Sequence, residues 1–381
     1  MKVLLFAGGS RAGLEFFLSL LDGHTEILQF PGTIRGNKKL LEILASSNSS
    51  KICSDFIDNY KHFFDSRLSN DIKLSVVERH TELGEDKKHY YLVNEEKFKF
   101  NFIKLFEERN KSQIYNKLYQ NLLMLFQAYS IAKGEDIEKK KILVINCHLI
   151  SYLRFIDKKI MRNINYDIIH TIRNPLSAIS SPLNNWLRYK SGCFFFSESI
   201  YFHIDLVVNG IKKLRKINKN IFLIKLESLH RNNLEVMKDF CKSYALTYEE
   251  CMKRSTFLNL KWWGDTISGK NLDGINKNIE IKFDKKNFYD RDIDFLESIL
   301  KNYLDIYKYL FVGKNLKNNF NFLPMKCEII TWKNTFKHKN IKNIFLIPFF
   351  YLKRIIFINK FSQKNLPLPR VFGDPIIKNK L

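Results

Sequence analysis

Three sets of residues have the types and spacing to do chemistry. The first runs from Val3 to Gly13, an apolar stretch that breaks into Gly8-Gly9-Ser10-Arg11-Ala12-Gly13 and passes directly into the amphipathic segment Leu14 to Leu21. A strand, a glycine-rich turn and a helix in that order bring successive backbone N–H groups onto one point. The helix start adds the positive end of its dipole, so the turn suits a phosphate. Ser10, Arg11, Ala12, Gly13 and Leu14 are the candidate contacts. A triphosphate loop of the G-x-x-x-x-G-K-[ST] form next needs Lys for the outer phosphates and a hydroxyl for Mg²⁺. Leu14 and Glu15 stand there instead, and the loop's cation is Arg11, two residues before Gly13. A donor that needs no metal fits this loop better. The apolar run stops at Gly8, short of the roughly 7–15 apolar residues of a secretory signal, and none is expected.

The second set is Ile168-Ile169-His170-Thr171-Ile172-Arg173-Asn174-Pro175, with Ser181 eight residues beyond Arg173. Arginine offers a fixed fork of donors to a terminal phosphate and a hydroxyl completes its shell; Asn-Pro is also an ordinary turn signal. The third is Ile145-Asn146-Cys147-His148-Leu149, which puts an imidazole at the end of an apolar run. There it is either a general base, since the ring is largely neutral near pH 7, or a structural histidine. The six cysteines (Cys53, Cys147, Cys193, Cys241, Cys251, Cys327) form no C-x-x-C pair and no zinc-type spacing with histidine. They read as reduced, buried thiols of a cytoplasmic protein, and no metal site is expected.

These residues need a frame. Beside the first strand, four short and nearly continuous apolar runs stand at Ile27 to Phe30, Ile142 to Asn146, Ile168 to Ile172 and Ile221 to Leu226. Such runs suit parallel strands buried on both faces, with helical periodicity between them. The expected fold is α/β, a P-loop-like, doubly wound parallel sheet of about five strands flanked by helices, with ligands at the carboxyl ends of the strands. Residues 1–312 would form that domain. An insertion over about 36–140 holds a periodic helix from Ile114 to Ile131 and the aromatic-basic stretch Phe98 to Phe106. It either shapes an acceptor site or forms a helical cap. Further amphipathic helices are expected over Asn233 to Tyr244 and Asp292 to Tyr309.

The chain has 381 residues, 45% of them hydrophobic, with 33 Phe, which excludes a disordered chain. Its 63 Lys and Arg against 39 Asp and Glu give a net charge of +24. That surface attracts nucleotides, acidic glycans or anionic lipid. The basic residues are scattered and no nucleic-acid-binding signature accompanies them, so nucleic acid is not an expected partner. Residues 313–381 form a basic, aromatic extension. Within it the apolar segment 344–358 is interrupted by Pro348, Lys353 and Arg354 and falls short of the ~20 residues of a spanning helix. It packs on its own domain, meets a second copy, or touches a membrane surface, in that last case at the inner face.

Arg173-Asn174-Pro175 with Ser181, taken with the first loop, resembles the sulfotransferase family that uses 3'-phosphoadenosine 5'-phosphosulfate. In that family an amino-terminal strand-loop-helix binds the 5'-phosphosulfate, and an Arg-(Asn/Asp)-Pro motif with a serine eight residues on grips the 3'-phosphate. Arg11-Ala12-Gly13, Phe16 and Leu20-Leu21-Asp22-Gly23-His24-Thr25-Glu26-Ile27 are similar to the family's loop and its trailing segment, and Leu226-Glu227-Ser228-Leu229 to the residues closing its fifth strand. The resemblance covers roughly residues 3 to 310 in islands. It implies sulfuryl transfer to an acceptor hydroxyl, with Arg11 on the bridging oxygen, Arg173 and Ser181 on the 3'-phosphate, Phe16 beside adenine, and Lys270 from a late basic loop; the basic charge and the aromatic-rich insertion suit a glycan or glycolipid acceptor and leave small alcohols and peptides open. His148 stands where the cytosolic members carry their catalytic base, and Glu26 is the next candidate. Leu14 and Glu15 replace the family's loop hydroxyls, Asn146 replaces a lysine, and Glu15 either turns away from the phosphosulfate or marks a degenerate site. The competing readings are a P-loop-type nucleotide kinase and a non-catalytic basic protein that binds glycans or membranes.

Overall fold

The chain's first strand, β1 (Lys2–Gly8), is apolar from Val3 to Ala7 because both of its faces are covered there. Val3, Leu5 and Ala7 enter one core, Leu4 and Phe6 the other. The computed structural model describes residues 1–9, 11–70, 80–109, 116–186, 200–264, 274–276, 283, 285–313, 323–337, 345, 348–349, 351–352, 355–356 and 370–373. Helix α1 (Leu14–Ser19) follows β1 and buries every residue except Glu15, so it is less two-faced than its sequence suggests. It leads into β2 (Ile27–Gln29).

The insertion is helical: α2 (Lys38–Ala45), α3 (Ser49–Asn59), α4 (Lys61–Phe64), α5 (Glu95–Arg109) and α6 (Lys117–Ala132). Asn37 and Asn48 cap α2 and α3 through their side chains, each accepting from a backbone N–H in the first turn. The aromatic residues of these helices close over one face of the sheet around Phe30, whose ring centroid lies 4.1 Å from Phe126, 4.7 Å from Tyr129 and 5.0 Å from Phe63. Rings at such separations bury large apolar areas and hold each other's orientation.

The rest of the chain alternates strand and helix: β3 (Ile142–His148), α7 (Ile150–Lys159), β4 (Tyr166–Ile172), α8 (Pro175–Trp186), α9 (Ile200–Arg215), β5 (Ile221–Lys225), α10 (Leu226–Arg231) and α11 (Asn233–Ser243). A short antiparallel pair, β6 (Thr256–Phe257) with β7 (Leu260–Lys261), precedes α12 (Asp290–Ile306), α13 (Lys326–Lys337) and β8 (Arg370–Val371). The sheet order is β2-β3-β1-β4-β5-β8, with every pairing parallel. The fold is therefore α/β, with a six-stranded sheet flanked by helices. From β1 the sheet extends toward β3 on one side and β4 on the other. The crevice such a switch opens lies at the carboxyl ends of these three strands.

Two boundaries differ from the sequence reading. Leu226-Glu227-Ser228-Leu229 opens α10 instead of ending β5. The sixth strand comes from the extension: Phe222 and Leu223 pair with Arg370 and Val371, Phe372 is buried, and Arg370 Nη2 lies 2.8 Å from Asp239 Oδ1. Among the described residues no helix is long and apolar enough to cross a membrane.

Candidate active site

Arg173 joins the first two of the three sets of residues singled out in the sequence. Its Nη1 donates to the backbone carbonyl of Arg11 at 3.4 Å, so the turn after β1 and the turn after β4 meet. Burial holds the Arg173 guanidinium below its ordinary pKa; nearby Glu227 opposes that effect and Arg11 adds to it. The Arg173-Asn174-Pro175 turn has a local cause. Asn174 Oδ1 accepts from Ser177 N at 3.1 Å, capping α8, and Pro175 takes the first helical position, where its missing N–H costs nothing. Glu227 accepts from Asn174 N at 2.8 Å and from the Tyr309 hydroxyl at 3.3 Å, tying the turn to the end of β5. Ser181 lies two turns further along α8, half-buried.

The first loop is held by contacts that require its glycines. Gly9 N donates to Thr171 O at 3.0 Å and Ala12 N to Gly9 O at 3.3 Å. Arg11 and Gly13 adopt positive φ, 54° and 75°. A Cβ at Gly8 would lie 2.9 Å from Thr171 Oγ1, and one at Gly13 only 2.3 Å from Leu226 Cδ1. Leu14 is buried, as is Phe16, whose ring stacks on His230 with centroids 4.3 Å apart. His230 accepts at Nδ1 from Asn276 N at 3.2 Å, and burial followed by the Arg173 charge pushes its pKa down to about 4. Ser10 and Lys270 lie outside the described residues.

His148 is reached through a bulge. Phe6 pairs with Asn146 and Ala7 with His148, so Cys147 is skipped, and His148 takes φ 55°. Bulges of this kind re-aim a side chain at the end of a strand. The His148 ring is half-exposed, with Nδ1 3.3 Å from Glu15 Oε1. Asn146 Nδ2 donates to the same oxygen at 3.2 Å and lies 3.4 Å from Thr33 Oγ1, while Asn146 Oδ1 accepts from His148 N at 2.9 Å. Glu15 thus turns toward the end of β3. Nothing in the sequence links residues 133 positions apart, and this pairing was not legible there. A carboxylate oxygen accepts, so a hydrogen bond across this contact needs the His148 proton on Nδ1.

Glu26 is placed differently. It precedes β2, its carboxylate pairs with Lys141 and accepts from Thr247 N, and its carbonyl accepts from Lys141 N. It therefore sits at the amino-terminal edge of the sheet, roughly 20 Å from His148 by the rise of the seven-residue β3. Burial pushes the thiols of Cys53, Cys241 and Cys251 up to about 12 and raises those of Cys147 and Cys327 as well, so these five are protonated and poor nucleophiles. Among the described residues no group of three or more His, Cys, Asp or Glu is placed to hold a metal.

No family model matches the chain, and no curated protein matches it. Among solved structures it is similar to the sulfotransferase domain from the Synechococcus PCC 7002 olefin synthase, at 11% identity and a TM-score of 0.36, over 74% of this chain and 84% of that one. It is also similar to the sulfotransferase domain from the curacin biosynthetic pathway, at 10% identity and a TM-score of 0.36, over 88% of this chain and 96% of that one. At such distance the functional reading rests on the residues themselves.

Proposed function

We propose that the chain is a sulfotransferase that moves a sulfuryl group from 3'-phosphoadenosine 5'-phosphosulfate to an acceptor hydroxyl. The observation that carries this reading is the meeting of Arg173 with the Arg11 carbonyl, which joins two phosphate motifs on one edge of the sheet, beside an imidazole paired with a carboxylate. The fit to the nucleotide draws on two buried hydroxyls at that edge, Thr171 Oγ1 and Ser177 Oγ, neither of which has a hydrogen-bond partner among the described residues. Buried polar groups are normally paired, so such atoms favour a ligand with acceptor oxygens. Leu14 and Glu15, where a triphosphate loop needs Lys and a hydroxyl, count against the kinase reading.

In this mechanism the acceptor oxygen attacks sulfur as the bond from sulfur to the bridging phosphate oxygen breaks, and the bisphosphate leaves. His148 takes the acceptor proton at Nε2, with Glu15 holding the opposite nitrogen, while Arg11 meets the charge that grows on the bridging oxygen. Glu15 is then an orienting group held off the loop by Asn146. The basic surface suits an acidic glycan or glycolipid acceptor, and we place the protein in the cytoplasm on its described cysteines, five thiols outside any disulfide.

Titration calorimetry tests the reading without the acceptor. The protein should bind 3',5'-adenosine bisphosphate far more tightly than AMP or ATP. Arg173→Ala should cost about 2–4 kcal/mol of that affinity, the usual loss when one partner of a buried charge-assisted pair is truncated. Equal affinity for nucleotides with and without the 3'-phosphate overturns it.

A further inference from the structure

The last part of the chain turns an apolar helix face to solvent. Phe345, Phe349, Leu352 and Ile356 are 79%, 49%, 58% and 51% exposed, and the described residues from 345 to 356 are helical. On an ideal helix, steps of four, three and four residues put such side chains within about 60° of one another, along a stripe roughly 16 Å long. The opposite side is turned inward: Tyr351 and Ile355 are half-buried, and the Tyr351 ring meets Trp332 of α13 edge-on with centroids 6.1 Å apart.

Charge identifies what this face fits. Residues 326–360 carry eight lysines and arginines against a single acid, Glu328, within a chain of net charge +24. A second copy of the chain would bring two such basic segments together, which is repulsive, whereas a bilayer with acidic headgroups attracts the charge and accepts the apolar stripe. No described helix is long and apolar enough to cross. We propose that the face formed by Phe345, Phe349, Leu352 and Ile356 lies in the surface of an anionic membrane, drawn there by the net basic charge of residues 326–360. This surface is independent of the proposed reaction, which it would bring to acceptors at a membrane.

Co-sedimentation of the full chain with phosphatidylcholine vesicles, with and without phosphatidylserine, tests it. Binding is expected only with phosphatidylserine and weakens as salt is raised past the point where the Debye length becomes a few ångströms. Phe345→Ser with Leu352→Ser should reduce binding about tenfold or more, since a half-buried apolar side chain is worth roughly a factor of ten in partitioning. The circular dichroism and melting temperature of that variant should match the parent. Leu352→Trp supplies an independent reporter, its emission shifting to the blue when phosphatidylserine vesicles are added. Equal binding to neutral vesicles, no binding to either kind, or an unshifted Trp spectrum overturns the proposal. So does a wild-type dimer that the double serine variant dissociates, since the face would then be a contact between copies.

Discussion

Replacing Gly13 by alanine measures how tightly the first loop is held against the start of α10. The residue sits at φ 75°, where an L side chain costs about 1–2 kcal/mol, and its Cβ would fall 2.3 Å from Leu226 Cδ1, 3.2 Å from Cγ and 3.3 Å from Cδ2. Leu226 is buried in the same core as Leu229, Val236 and Phe240, so its Cδ1 has to turn aside within a packed interior, which adds roughly 1–3 kcal/mol of overpacking. The expected loss is about 2–5 kcal/mol by urea unfolding. Gly134→Ala is the control: its φ is 86°, nothing lies within 4 Å of its Cβ, and only the backbone penalty of about 1–2 kcal/mol should appear. In a double-mutant cycle with Leu226→Ala, the overpacking should vanish and leave a coupling of about 1–3 kcal/mol. Titration with 3',5'-adenosine bisphosphate should show weaker binding for Gly13→Ala and none of that effect for Gly134→Ala. If the two alanine variants lose the same stability and the cycle shows no coupling, Leu226 does not brace the loop and the assignment of its shape to that contact is wrong.

Acid should unfold the protein in a window set by buried histidines. Burial pushes His170 and His230 down to about 4, so between about pH 6.5 and 4 the unfolded chain binds protons that the folded one refuses. Stability is then full above that window and falls as pH drops through it, by up to about 3 kcal/mol for each histidine. Urea unfolding at a series of pH values checks this, and a flat profile from neutrality to about pH 5 contradicts it. Glu15→Gln should release the Nδ1 proton preference of His148, visible as a changed tautomer in its imidazole nitrogen NMR signals, while bisphosphate affinity stays equal or rises; an unchanged tautomer means the carboxylate does not orient the ring. Phe372→Ala should cost about 3–5 kcal/mol, because the ring is fully buried, stacked on Phe222 at 5.3 Å and edge-on to Phe240 at 5.7 Å; a loss below about 1 kcal/mol in thermal or urea unfolding would detach β8 from the core.

Five of the six strands of the sheet were legible in the sequence for one reason: burial on both faces makes their runs nearly continuously apolar, as the division of β1 and β3 between two cores shows. Strand β8 lacks that mark. Its two residues follow Pro367 and Pro369, and what holds them is pairing to β5, the Arg370 contact with Asp239 and the burial of Phe372, all made by residues distant in the chain. The site divides in the same way. Arg11, Gly13, Arg173 and His148 announce themselves because each belongs to a short motif at a strand end. Glu227 and Glu15 act through space, and the bulge at Cys147 that turns His148 toward Glu15 depends on a register between β1 and β3 that local propensity does not encode.

That register also accounts for the residues that depart from the sulfotransferase pattern. A carboxylate at position 15 is a poor neighbour for a phosphosulfate as long as it points into the loop. It ceases to be one when it is held elsewhere, and Asn146 and His148 do that holding through a single oxygen. A lysine at position 146, as in the cytosolic members, would neutralise Glu15 and take over the contact that now fixes the imidazole. With Asn146 the charge of Glu15 is left for His148, and the amide adds a second tie through Oδ1 to the His148 backbone N–H. The carboxylate of Glu15, the amide of Asn146 and the bulge that carries His148 are thus three parts of one arrangement. Glu15→Gln and Asn146→Lys should therefore be non-additive in their effect on the His148 ring, because both side chains meet at one carboxylate oxygen.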